Sequence, residues 1–221
     1  MMKRILLFSL FVTLAATFNS SVTYAGEMQG DVDQAVTIIQ RFQDIPERSI
    51  PGEVLRDAKG LAVITVIKAG FIFSGRGGTG VVVARTRKGW SGPSAIGTGG
   101  AGFGLQIGAE VTEFVFVLNT NDAVNAFSQG GNVQLGGNIS VAAGPLGRTV
   151  EAGVTPVAAV YTYSRSQGLF GGISLEGTVV AARDETNAKY YGRSVTPREI
   201  LSGKVKAPAG AKQLRKVLAK Y

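Results

Sequence analysis

Leu61-Ala62-Val63-Ile64-Thr65-Val66-Ile67 is a β-rich apolar run that opens just after Gly60. Its Val, Ile and Thr content reads as strand. Val81-Val82-Val83-Ala84-Arg85 is a second such run. Val111 to Leu118 is a third, apolar on both faces, as a strand covered on both sides would be. Shorter strand-like pieces follow at residues 132–135, 138–142, 157–164 and 173–182, separated by glycine-rich turns. Helical patterns lie mostly outside this block. Val32, Ala35, Val36, Ile39 and Phe42 form one stripe of a helix over residues 31–45, with Asp31 and Asp33 near its start and Pro46 at its end. Pro51 stands in the first turn of a second, short helix that Gly60 stops. Asn121-Asp122 cap a short helix through Phe127. Thr196-Pro197-Arg198-Glu199 is a capping box, and a final amphipathic helix covers residues 209–221. Strands do not alternate with helices, which argues against a doubly wound parallel sheet. The expected class is α+β: one curved antiparallel glycine-rich sheet, or a partly closed β-barrel, packed by N- and C-terminal helices.

The composition narrows the chemistry. The 221 residues include neither Cys nor His, so Ser-His-Asp triads, thiol nucleophiles and imidazole or thiolate metal centres are excluded. Neither a cofactor nor a metal site is expected. Glu110 and Glu113 are three apart, on opposite faces of an extended strand, Asp184-Glu185 reads as a turn, and Glu151 and Glu176 stand alone. None makes an acid/base pair. Gly75-Arg76-Gly77-Gly78-Thr79-Gly80 fits G-x-G-x-x-G, as does Gly97-Thr98-Gly99-Gly100-Ala101-Gly102. A dinucleotide site needs a helix after those glycines, but Gly80 runs into valines and Gly102 into more glycine.

Residues 1–25 have the layout of a secretory signal peptide. Lys3 and Arg4 precede an uncharged apolar run, and Thr23-Tyr24-Ala25 forms a small-residue cleavage site. The apolar run is shorter than the roughly 20 residues of a spanning helix. The expected mature chain is a single domain over residues 26–221, exported to the periplasm or the medium. The net charge of +8 is uneven. Residues 183–221 hold 10 Lys/Arg against 3 Asp/Glu, and residues 58–109 contain no acid at all. Two basic zones suit an anionic lipid surface, and nucleic acid is not an expected partner. Lys68, Arg76, Arg85 and Arg148 are the candidate head-group cations, because Arg grips phosphate with two hydrogen bonds and glycine lets the backbone approach an anion. Trp90, Leu169, Phe170, Lys212, Arg215 and Lys216 are the candidate membrane contacts, with the only Trp read first as a core or turn anchor. An integral outer-membrane barrel and an envelope scaffold for protein or polyanion are the alternatives.

From Ile50 onward the order of motifs resembles the SYLF-domain family. The matching strings include Lys68-Ala69-Gly70-Phe71, Ser74-Gly75-Arg76-Gly77-Gly78-Thr79-Gly80 and Trp90-Ser91-Gly92-Pro93-Ser94-Ala95-Ile96-Gly97. Gly144-Pro145-Leu146-Gly147-Arg148 and Gly168-Leu169-Phe170-Gly171-Gly172-Ile173-Ser174-Leu175-Glu176-Gly177 continue the series. The resemblance implies a non-enzymatic module that binds phospholipids, phosphoinositides among them, with actin binding in some members. The expected export argues against actin as a partner here.

Overall fold

The computed structural model describes residues 24–44, 46, 49–130, 132–135, 139–145, 158–168 and 178–221. Helices α1 (Tyr24–Arg41) and α2 (Gly52–Asp57) precede strand β1 (Gly60–Thr86), the two-residue β2 (Gly89–Trp90) and β3 (Ser94–Leu118). Helix α3 (Asn121–Ser128) follows, then β4 (Asn132–Gln134), β5 (Val141–Ala143), β6 (Val160–Gly168) and β7 (Val179–Ala182). Helices α4 (Asp184–Tyr191) and α5 (Pro197–Leu201), a 3-10 turn at Ala209–Ala211 and α6 (Lys212–Leu218) come last. The sheet runs β2-β1-β3-β6-β5, with β7 beside the start of β3 and β4 beside β7. It is a strongly curled half-barrel, antiparallel except for the parallel β5–β6 pair.

Two long strands do most of the folding. β1 and β3 pair from Gly60↔Leu118 to Val82↔Ser94, with one register shift between Phe71 and Phe73. The two expected strands at 61–67 and 81–85 are therefore one strand of 27 residues. The glycines between them do not turn the chain. They lie opposite the second glycine run, with Arg76↔Gly100, Gly77↔Gly99 and Gly78↔Thr98 in register. Two glycine runs facing each other leave a bare ribbon that can bend back on itself. A methyl group on Gly78 would lie 2.6 Å from Thr65 O, and one on Gly80 would overlap Val63 O. The second half of β1 is thus laid against its own first half, at a separation only glycine permits.

Alternation along the ribbon splits the core in two. Leu61, Val63, Val115, Val117, Tyr161 and Tyr163 meet α1, α2 and α6. Ala62, Ile64, Val66, Phe114, Phe116 and Leu118 meet α3, Val133, Val180 and Leu201 of α5. Both faces of residues 112–118 are covered, as the composition indicates, whereas Val111 at the start of that run is left exposed. Ionic contacts lock α1 on the first face. Arg183 reaches both Glu27 and Asp31, Thr79 donates to Asp31 at 2.7 Å, and Arg41 pairs with Glu113.

Three local expectations differ. Helix α1 starts at Tyr24 and ends at Arg41, earlier at both ends than 31–45. Asp184-Glu185 is the first turn of α4, where acids favour the helix dipole, and not an isolated turn. The last helix is shorter than 209–221 because a 3-10 turn occupies Ala209–Ala211. The Thr196 capping box forms as read, with Glu199 N–H on Thr196 Oγ1 and Thr196 N–H on Glu199 Oε2.

Candidate functional site

The candidate residues separate into two ends of the curl. At the ribbon end, Lys68 stands in β1 opposite Glu110 of β3, which is only 1% exposed and accepts from Thr112 Oγ1 at 3.3 Å. Arg76 lies further along β1, half-buried across Gly100, whose added methyl would come 2.9 Å from Arg76 Nε. Arg76 makes none of the ion pairs found among the described residues. Glu110 and Glu113 are the only acids on β1, β3 and β6, and both are buried. Glu113 faces α1, where Arg41 and Gln34 donate to its Oε1. The two carboxylates occupy opposite faces, as their spacing requires. Arg148, Leu169 and Phe170 lie outside the described residues.

At the other end, the β1–β2 turn brings Arg85, Trp90 and Arg215 together. The Arg85 guanidinium donates to Ala58 O and Leu55 O, each at 2.9 Å, and lies 4.4 Å from the centre of the Trp90 ring. Burial lowers its pKa, partly offset by Asp57. Those two carbonyls lie at the C-terminal end of α2, so Arg85 caps that helix. Trp90 is 4% exposed and donates from Nε1 to Leu218 O at 3.0 Å, while Arg215 Nε donates to Trp90 O at 2.9 Å. Trp90 is therefore a core anchor, with its ring out of reach of a bilayer, and Arg85 serves the protein's own backbone. Lys212 and Lys216 are exposed on α6.

Four further exposed cations belong to this end. Arg87 and Lys88 sit in the β1–β2 turn, and Lys204 and Lys206 follow Gly203. An added methyl on Gly203 would lie 3.1 Å from Thr86 Cγ2, which places that segment beside the turn. The excess of positive charge after residue 183 signalled these lysines. Nothing in the sequence joined them to Arg87 and Lys88, more than a hundred residues away.

Buried titratable groups tie the helices down. Burial raises the Asp31 pKa, against the lowering pull of Thr79 and Arg183. Burial also raises three phenols: Tyr190 to about 12, and Tyr163 and Tyr191 further. Among the described residues no helix is long and apolar enough to cross a membrane.

The architecture is a glycine-rich curled half-barrel, clasped by helices, with cations at both ends and buried carboxylates. The chain belongs to the Ysc84 (SYLF) family: the family described as "Las17-binding protein actin regulator" matches residues 99–221. LAS seventeen-binding protein 3 of Saccharomyces cerevisiae is 53% identical over 177 residues, covering 78% of this chain and 39% of that protein. SH3 domain-containing YSC84-like protein 1 of Homo sapiens is 46% identical over 202 residues, covering 88% of this chain and 59% of that protein. The chain thus spans between about two-fifths and three-fifths of the length of these relatives. The expectation that set actin aside is corrected by this finding. The family's own description is of an actin regulator, and export had been inferred from the leader alone.

Proposed function

We propose that this chain is a non-enzymatic module that binds the head groups of anionic phospholipids through the ribbon end, with Lys68 and Arg76 as contacting cations. The observation that supports the reading best is Arg76. It lies half-buried over Gly100 on a ribbon without exposed acid, free of the ion pairs seen elsewhere. A guanidinium held by its stem loses little further freedom on meeting a phosphate and can donate to it twice. Cations near an anionic leaflet contribute about 1 kcal/mol each, weakened by salt. Flotation of residues 26–221 with phosphatidylcholine vesicles, with and without phosphatidylserine, tests this. Co-flotation is expected only with the anionic vesicles, falling with added salt and falling several-fold in Arg76→Ala. Equal recovery with both vesicles, insensitive to salt, would overturn it. Export belongs to the same proposal. Cleavage after Ala25 would leave Glu27 and Asp31, which fasten α1 through Arg183, in the mature chain.

A second reading comes from the family description and the cations at the turn end. Arg87, Lys88, Lys204, Lys206, Lys212 and Lys216 form a surface suited to an acidic protein partner, as would serve in actin regulation. Co-sedimentation with filamentous actin, lost on Lys204→Glu/Lys206→Glu but kept in Arg76→Ala, would support it.

A further inference from the structure

The lipid reading uses the cations of the ribbon end but leaves its apolar residues without a task. Ile67 of β1 and Val111 of β3 are register partners and remain 55% and 40% exposed. Ala69 and Ala109, the next pair on the same face, are also exposed. Along this face Leu61, Val63, Val115 and Val117 lie under the helical layer. Beyond the Thr65–Glu113 row, where Arg41 reaches the sheet, the helices no longer cover it. The ribbon therefore continues past its own core and carries an uncovered aliphatic surface outward.

Three properties of this surface select its occupant. The backbone of β3 is satisfied on both sides, because β1 and β6 both pair with it across residues 110–118. The central strand thus meets an apolar boundary without stranding its own N–H or C=O groups. Among the described residues of these strands, the exposed charge on this face is a cation, Arg165 of β6 opposite the buried Glu113, and Lys68 and Arg76 add positive charge on the reverse face of the ribbon. The acids of these strands are buried, one of them held by Arg41. An aliphatic centre with a cationic rim complements the boundary between acyl chains and anionic head groups. A second copy of the same surface would instead set cation against cation.

We infer that Ile67 and Val111, with Ala69 and Ala109, insert into the acyl-chain boundary of an anionic leaflet, so that the ribbon end penetrates the membrane surface. This rests on the lipid reading above and names the part of the lipid that the apolar face meets.

The chain lacks cysteine, so single labelling sites can be introduced cleanly. Ile67→Cys, Val111→Cys and, at exposed Asn125 on α3, Asn125→Cys would each carry an environment-sensitive fluorophore. Phosphatidylcholine–phosphatidylserine vesicles are the probe, with and without acyl-brominated lipid as quencher. Blue shift and quenching at 67 and 111 but not at 125 are expected. Separately, Ile67→Ser/Val111→Ser, unlabelled and with unchanged circular dichroism, should partition roughly tenfold more weakly into the same vesicles. A chain that floats with the vesicles while both labels stay in water overturns insertion and leaves head-group binding standing. A chain that does not float overturns both.

Discussion

At the scale of single residues, the glycine motif that imitates a nucleotide fingerprint is explained by contact. Its members are not equivalent. A methyl group on Gly75 or Gly77 would meet nothing within 4 Å, whereas on Gly80 it would run into the backbone of Val63 and Ile64. Backbone cannot retreat as a flexible side chain can. Gly80→Ala is expected to cost roughly 3 kcal/mol by forcing the two halves of β1 apart. Gly75→Ala should stay within about 0.5 kcal/mol of wild type. Urea denaturation of the three proteins measures both. Similar losses at the two sites would mean that the ribbon does not close as described. The glycine count was visible in the sequence. Which glycines matter depends on a contact between residues some seventeen positions apart, and no local pattern encodes that.

At the scale of elements, Arg85 and Trp90 join four pieces of structure. Arg85 takes carbonyls at the end of α2, lies on the Trp90 ring, and Trp90 holds Leu218 of α6 while Arg215 returns to Trp90. A six-residue helix has little stability of its own, so its orphan carbonyls gain from a charged donor. Arg85→Met should lower stability by about 2 kcal/mol, combining two charge-assisted hydrogen bonds and a stacked cation. Thermal melting and far-ultraviolet circular dichroism report it, and lipid flotation of the folded fraction should be unchanged. A variant that folds normally but loses vesicle binding would return Arg85 to the head-group site. From sequence, Arg85 looked like any other cation in an acid-free stretch. Only its position beside the end of α2 distinguishes a cap from a ligand.

At the scale of the whole molecule, the helical layer is fastened by groups that titrate abnormally. Tyr190 donates to Gln29 of α1 at 3.0 Å, and Tyr191 donates to Pro93 O at 2.9 Å. Burial lifts the Tyr190 pKa to about 12 and carries Tyr163 and Tyr191 beyond that. An unfolded phenol ionises near 10. As pH rises past that value the unfolded chain gives up phenolic protons that the folded chain keeps, so stability falls with pH from there upward. Stability measured across this range should decline, with a shallower slope in Tyr191→Phe. If the phenols ionised at ordinary pH with tertiary circular dichroism intact, they would not be buried in solution.

The sequence alone was enough to establish the α+β class, a glycine-rich strand block with helices before and after it, the capping box at Thr196, and the lack of imidazole and thiol chemistry. Periodicity, capping and composition act over a few residues and are written in the chain itself. That two valine-rich runs are one strand, that Gly80 touches Val63, that Trp90 and Arg85 are internal, and that Ile67 and Val111 are left uncovered were decided by tertiary structure. Each depends on which distant segment arrives opposite, and on how far the helical layer extends along the ribbon before it stops.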